Sequence, residues 1–162
     1  LLGYANTRSM LGGVKAWGGL DLPLVTEETV AEAGAMPEFN ADLFAMADAY
    51  VKSIPAGYFT ISADNLNIAL IENPPVIIDV RTEAEVANGM IPGSIHLELR
   101  DLFAGYEMWP VEADTPIVLV GSFNHRSVVA MVAMQWMGYE NVSSLAGGIP
   151  TWESKEYPLA VE

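Results

Sequence analysis

Two stretches of this sequence carry side chains at spacings that could do chemistry. In IIDVRTEAEVANGMIPGSIHL, Asp79 closes an apolar run, Arg81 follows two residues later, and Glu85 stands four beyond that. In IVLVGSFNHRSVVAMVAMQWMG, a second apolar run opens at Gly121 into a short loop that ends at Arg126. In an open parallel sheet the strand C-termini form the ligand edge, so Asp79 and Arg81 are placed for function. A glycine and small polar residues ahead of a helix let backbone amides converge, with the helix dipole behind them. Gly121, Ser122, Phe123, Asn124, His125, Arg126 and Ser127 therefore read as an anion cradle, with Arg126 adding a fork of donors. Plainer roles compete. Thr82 and Glu85 match the T-x-x-E capping box of a following helix, Asp79 can accept from neighbouring loop amides, and Arg126 can pair with an acidic neighbour. His125 reads as exposed, and Ser122 as a nucleophile has no adjacent base in sight.

Composition narrows the chemistry further. No cysteine occurs in the 162 residues, which excludes disulfides, thiolate metal sites and every reaction whose nucleophile is a thiol. Two histidines, His96 and His125, are too few for most zinc sites, and neither a metal nor a cofactor is expected. Seven Lys+Arg against 21 Asp+Glu give a net charge of −14, which argues against nucleic acid or an anionic membrane surface as a partner. No run approaches the ~20 apolar residues of a membrane span. Hydrophobic residues at 51% supply a sizeable core and exclude disorder as the main character. The chain opens on LLGYANTRSM, without Met or a basic n-region, and reads as a piece of something longer; the compartment is left open.

The elements that must position these residues alternate. Asn40 is placed to cap a helix over about 41–53, with Leu43, Phe44, Ala47, Tyr50 and Val51 on one face, ended by Pro55 and Gly57. Tyr58–Ile61 reads as a strand, and Ser62 caps a helix over about 63–72. VIIDV (76–80) is a strand buried on both faces, followed by a short helix over 83–88 and a strand over 94–97. Residues 98–105 are weakly helical. PIVLVG (116–121) is a second buried strand, leading through the loop to a helix over about 126–137. There Val128, Val129, Met131, Val132, Trp136 and Met137 cover most faces. Val142–Leu145 is the last strand, and Pro150 starts a final helix through Trp152. Strands 76–80 and 116–120 should lie centrally in an α/β sheet.

The chain also repeats itself. At an offset of 135, Gly3, Tyr4, Asn6, Ser9, Gly12, Gly13, Trp17, Pro23 and Leu24 recur as Gly138, Tyr139, Asn141, Ser144, Gly147, Gly148, Trp152, Pro158 and Leu159 without a gap. Residues 1–25 then read as the tail of a preceding repeat, 26–55 as an acidic linker plus a helix, and 56–162 as a complete domain. Leu2, Tyr4, Leu11, Val14 and Trp17 would rest on the outside of this domain or, in a swap-like association, on another copy.

DVRTEAEVANGMIPGSI and HRSVVAM…LAGGIPTW resemble the rhodanese family, in its D-V-R-x-x-x-E…G-H-I-P-G pattern and in its active-loop helix and closing L-x-G-G-x-x-x-W. The resemblance spans about 56–160 and implies a central parallel β-sheet flanked by helices on both faces. In active members it implies a sulfurtransferase whose loop cysteine carries sulfane sulfur as a persulfide. Here the cysteine of C-x-x-x-x-R falls on Gly121, or on Val120 if the loop holds one extra residue, and Met90 replaces the histidine. A thiol is needed because only a polarisable thiolate both attacks and leaves readily in sulfur exchange. The expected function is a non-catalytic module of a tandem protein, scaffolding it or binding a partner or small anion. The alternative is part of a sulfurtransferase whose cysteine lies in the preceding repeat.

Overall fold

The computed structural model describes residues 7–10, 12–24, 38 and 40–161, in two compact units that part between Ile54 and Pro55. The first unit holds α1 (Gly13–Gly18) and α2 (Ala41–Ser53). Asn40 caps α2, its Oδ1 accepting from the Leu43 N–H at 2.9 Å. Leu43, Ala47 and Tyr50 are half-buried, while Phe44 and Val51 of the same expected stripe are exposed. Residues 7–10 carry no strand. Leu2, Tyr4, Leu11 and most of the expected linker lie outside the described residues.

The second unit is built on a parallel sheet of β1 (Thr60–Ile61), β2 (Val76–Asp79), β3 (Ile95–His96), β4 (Ile117–Val120) and β5 (Val142–Leu145). The order is β1-β5-β4-β2-β3, so β4 is central and β2 lies beside it, in register Ile78 to Leu119 and Asp79 to Val120. Crossovers carry α3 (Ala63–Glu72), α4 (Glu83–Val86) and α5 (Asn124–Trp136), and α6 (Gly148–Ser154) closes the unit.

Side chains alternate across a strand, which explains why β2 and β4 are apolar throughout. Ile78, Ile117 and Leu119 pack with Ala130, Met131 and Met134 of α5 on one face. Ile77, Val118 and Val120 pack with Leu66 of α3 and Ile149 and Trp152 of α6 on the other. Helices therefore cover both faces of the sheet.

Several boundaries differ from the sequence expectation, each for a local reason. Tyr58 and Phe59 are not strand: both have φ of 52° in a turn, where Tyr58 N–H donates to Pro55 O and Thr60 N–H to Gly57 O. Residues 98–105 hold one 3-10 turn, Leu99–Asp101, and a second follows at Tyr106–Met108. The last helix starts at Gly148, which leaves Pro150 in the first turn, where the missing N–H has no intrahelical partner to lose. The α5 surface is also narrower than expected. Ser127, Ala130, Met131 and Met134 form its buried stripe, whereas Val129, Trp136 and Met137 face outward.

Candidate functional site

β2 and β4 end side by side, and their C-terminal ends bring both chemical stretches to one edge of the sheet. Asp79 and Arg81 are buried there and joined. Arg81 Nη2 donates to Asp79 Oδ2 at 2.7 Å and Nε reaches both carboxylate oxygens at 3.0 Å. The same guanidinium donates to the carbonyls of Glu85 (3.3 Å) and Gly89 (2.7 Å). These bonds brace the strand end against α4 and the Gly89 turn.

Glu85 does two jobs. As the third residue of α4 it completes the capping box, its Oε2 accepting from the Thr82 N–H at 2.9 Å and from Thr82 Oγ1 at 2.8 Å. It also reaches the loop after β4. Arg126 Nη1 donates to Oε2 at 2.7 Å, Nη2 to Oε1 at 2.6 Å, and Ser122 Oγ donates to Oε1. Arg126 Nη2 further donates to Ser122 Oγ at 2.8 Å. The bidentate Arg126 guanidinium, and then the Ser122 and Thr82 donors, hold the Glu85 carboxyl far below the usual carboxylate range against the opposing effect of burial. Glu85 in turn raises the Arg126 pKa. A carboxylate does stand next to Ser122, contrary to the sequence reading. So weak a base does not activate a hydroxyl, and Arg126 also withdraws charge from that oxygen.

A folded-state pKa below the unfolded one means the cluster stabilises fully above about pH 5 and loses its contribution as pH falls toward the folded value. Both side chains are about a third exposed, which screens the pair. The stability difference between wild type and Glu85→Gln should therefore be modest, constant at neutral pH, and shrink below about pH 4 in urea titrations. A difference that grows on acidification would contradict the assignment.

The loop itself is turned inward on protein. A Cβ built on Gly121 would meet the Phe123 carbonyl oxygen at 2.6 Å, with Ser127 Oγ at 3.4 Å. The Phe123 ring is exposed, and its carbonyl lies where a side chain on Gly121 would have to pass. Of the two positions carried over for the cysteine, only Gly121 points into the loop. Val120 is wholly buried in the α3–α6 core. Asn124 opens α5 two residues ahead of the expected start, and its Oδ1 accepts the Gly147 N–H at 2.5 Å. His125 is exposed. Ser127 is buried and accepts from Ser144 Oγ at 2.7 Å, tying α5 to β5. Among the described residues, no protein acceptor meets the N–H groups of 122–126, so part of the cradle's donor set is available.

Beside the loop is a cleft of about 230 Å³ lined by Arg81, Glu85, Ser122, Ile149, Pro150 and Glu153 among others. A larger groove of about 420 Å³ opens at the opposite end of the strands, by Pro75 and Pro116, where Glu72 is the one charged lining residue. The cleft, not the groove, holds the polar groups of the site. Among the described residues no group of three or more His, Asp or Glu is arranged to hold a metal, and no helix is long and apolar enough to cross a membrane.

A five-stranded parallel sheet with this order, a strand–loop–helix turn at the end of its central strand, and α6 seated behind that loop define a rhodanese-like α/β domain. The chain belongs to the rhodanese-like domain family, whose model matches residues 62–155. It is similar to a sulfurtransferase of Allochromatium vinosum, 30% identical over 100 residues, covering 61% of this chain and 92% of that protein. It is also similar to the thiosulfate sulfurtransferase GlpE of Stutzerimonas stutzeri, 34% identical over 90 residues, covering 54% and 77%. Among solved structures, a rhodanese-related protein from Thermoplasma volcanium superposes with a TM-score of 0.57 at 25% identity, covering 64% of this chain and 98% of that one.

Proposed function

We propose that residues 56–162 form a non-catalytic rhodanese-like module, which scaffolds a larger protein or binds a partner or small anion at its loop. One observation carries this reading: Gly121, at the head of the loop, has the Phe123 carbonyl in the space a cysteine side chain would need. With no cysteine anywhere in the sequence, no thiolate can accept sulfane sulfur. The Glu85–Arg126–Ser122 cluster supports the same reading, because it pins the loop to α4 and satisfies the arginine that would otherwise meet a substrate anion.

The test is thiosulfate:cyanide turnover by the purified chain and by Gly121→Cys. Both are expected at the buffer blank. Gly121→Cys should also lose about 1–3 kcal/mol of stability, because the added Cβ forces the loop carbonyl aside. Turnover by the wild type would overturn the proposal.

The anion role rests on the free amides of 122–126 alone. The carboxylates of Glu85 and Glu153 border the cleft, so affinity should be weak. Sulfate titration followed by amide shifts should move 122–126 only at tens of millimolar, and no movement there would leave scaffolding as the role. The 135-residue repeat favours a second reading for the parent polypeptide, a sulfurtransferase whose cysteine sits in the preceding repeat; a C-x4-R loop upstream would support it.

A further inference from the structure

The repeat in the sequence is also a repeat in three dimensions. Gly12 precedes α1 in a left-handed conformation of φ 75°, ψ 0°, and Gly147 precedes α6 at φ 76°, ψ −4°. Gly13 and Gly148 follow at φ 57° and 65°, and after each helix a non-glycine residue, Asp21 or Glu156, turns left-handed at 51° or 58°. The hydrogen bonds keep the same offset. Trp17 Nε1 donates to the Pro23 carbonyl at 3.1 Å, and Trp152 Nε1 to that of Pro158 at 2.9 Å. Leu20 N–H donates to Trp17 O and Asp21 N–H to Gly18 O, as Lys155 N–H does to Trp152 O and Glu156 N–H to Glu153 O. Left-handed non-glycine residues are uncommon, so the matched pair Asp21 and Glu156, in the same register as the glycines, is not a property of glycine-rich sequence in general.

What differs is the seat. Trp152 is 0% exposed in the core of α3, β2, β4 and β5, whereas Trp17 is 38% and Val14 63% exposed. The seat of 147–159 is specific. Gly147 N–H donates to Asn124 Oδ1, Ile149 N–H donates to Gly121 O at 3.0 Å, and Gly148 lies so close that a Cβ there would meet Gly121 O at 2.3 Å. Gly12, Gly13, Val14 and Trp17 stand at the corresponding positions of the first segment.

We infer that residues 12–24 are the closing element of a second rhodanese-like unit, preceding this one in the same polypeptide, and that they dock against that unit's own active loop as 147–159 dock here. The inference deepens the tandem reading above and does not depend on whether the Gly121 loop is catalytic. A second copy of this chain does not supply the seat, because its own Trp152 fills it. By register, Val14 N–H meets the carbonyl at the loop's cysteine position, Gly13 makes the close approach, and Trp17 enters the core. Residues 12–24 would then form one wall of a different site from the one described here.

The test is a chimera of the full chain in which residues 147–159 are replaced by the sequence of 12–24, beside a control carrying the same thirteen residues scrambled. The chimera is expected to keep one cooperative unfolding transition and buried-indole emission, and the scramble to lose both. Loss in both, or retention in both, overturns the inference. A second measurement guards against a merely tolerant core. In a polypeptide extended upstream through the preceding unit, the amides of 13–21 should exchange at least about tenfold more slowly than in this chain. Equal exchange, or protection that appears instead with self-association of this chain, overturns it. Both readouts report folding, so they stand or fall apart from the sulfurtransferase assay.

Discussion

Arg81→Met is expected to destabilise the rhodanese-like domain by about 3–5 kcal/mol, the range for breaking a buried ion pair by removing one partner. Arg81 is 4% and Asp79 0% exposed, and the substitution would leave the Asp79 carboxylate in the core without its main donors. The Gly89 carbonyl would lose its side-chain donor at the same time, and that of Glu85 one of its donors, so the α4 turn should loosen with the strand end. Urea denaturation measures it. A loss under 1 kcal/mol would show that the pair is not the brace the geometry describes. Replacing Asp79 and Arg81 together by apolar residues should cost much less than Arg81→Met alone, since the double change leaves no buried charge behind.

Trp152→Ala is expected to cost a similar about 3–5 kcal/mol, as for other buried aromatics truncated to alanine. Trp17→Ala, at the matching position of the repeat, should stay within about 0.5 kcal/mol in this chain, the usual range for exposed sites. The contrast is the point. The two indoles make the same hydrogen bond to a proline carbonyl six residues on, so a local contribution would appear equally in both. Only burial against α3 and the sheet separates them. Thermal or urea unfolding of the two variants, in the same buffer, reads the difference, and equal losses would contradict it.

The fold was legible wherever local pattern and tertiary burial agree. The apolar runs at 76–79 and 117–120 announce strands covered on both faces, and Asn40 and Ser62 announce the starts of α2 and α3 by side-chain oxygens that cap them. Positions fixed by distant partners were less legible. Asn124 opens α5 because its side chain takes an N–H from Gly147, 23 residues away, and no local signal marks that bond. Tyr58 and Phe59 look like strand by composition yet sit in a left-handed turn fixed by Pro55 and Gly57.

The site divides the same way. Asp79, Arg81, Glu85, Ser122 and Arg126 were all singled out, and the capping box and an acidic partner for Arg126 were both foreseeable. That one carboxylate fills both roles was not, because Glu85 and Arg126 are 41 residues apart and meet only when β2 and β4 pair. The Phe123 carbonyl was the hardest to foresee. Its orientation follows from backbone dihedrals of a loop whose side chains gave no hint of it.

The central claim is that this domain cannot hold sulfane sulfur. Its most direct measurement is the intact mass of the purified chain after incubation with excess thiosulfate, with and without a reducing wash. The predicted result is an unchanged mass in both samples. A reducible adduct with the mass of one sulfur atom on the wild-type chain would contradict the account, because it would show a sulfur carrier in a domain that has no thiolate.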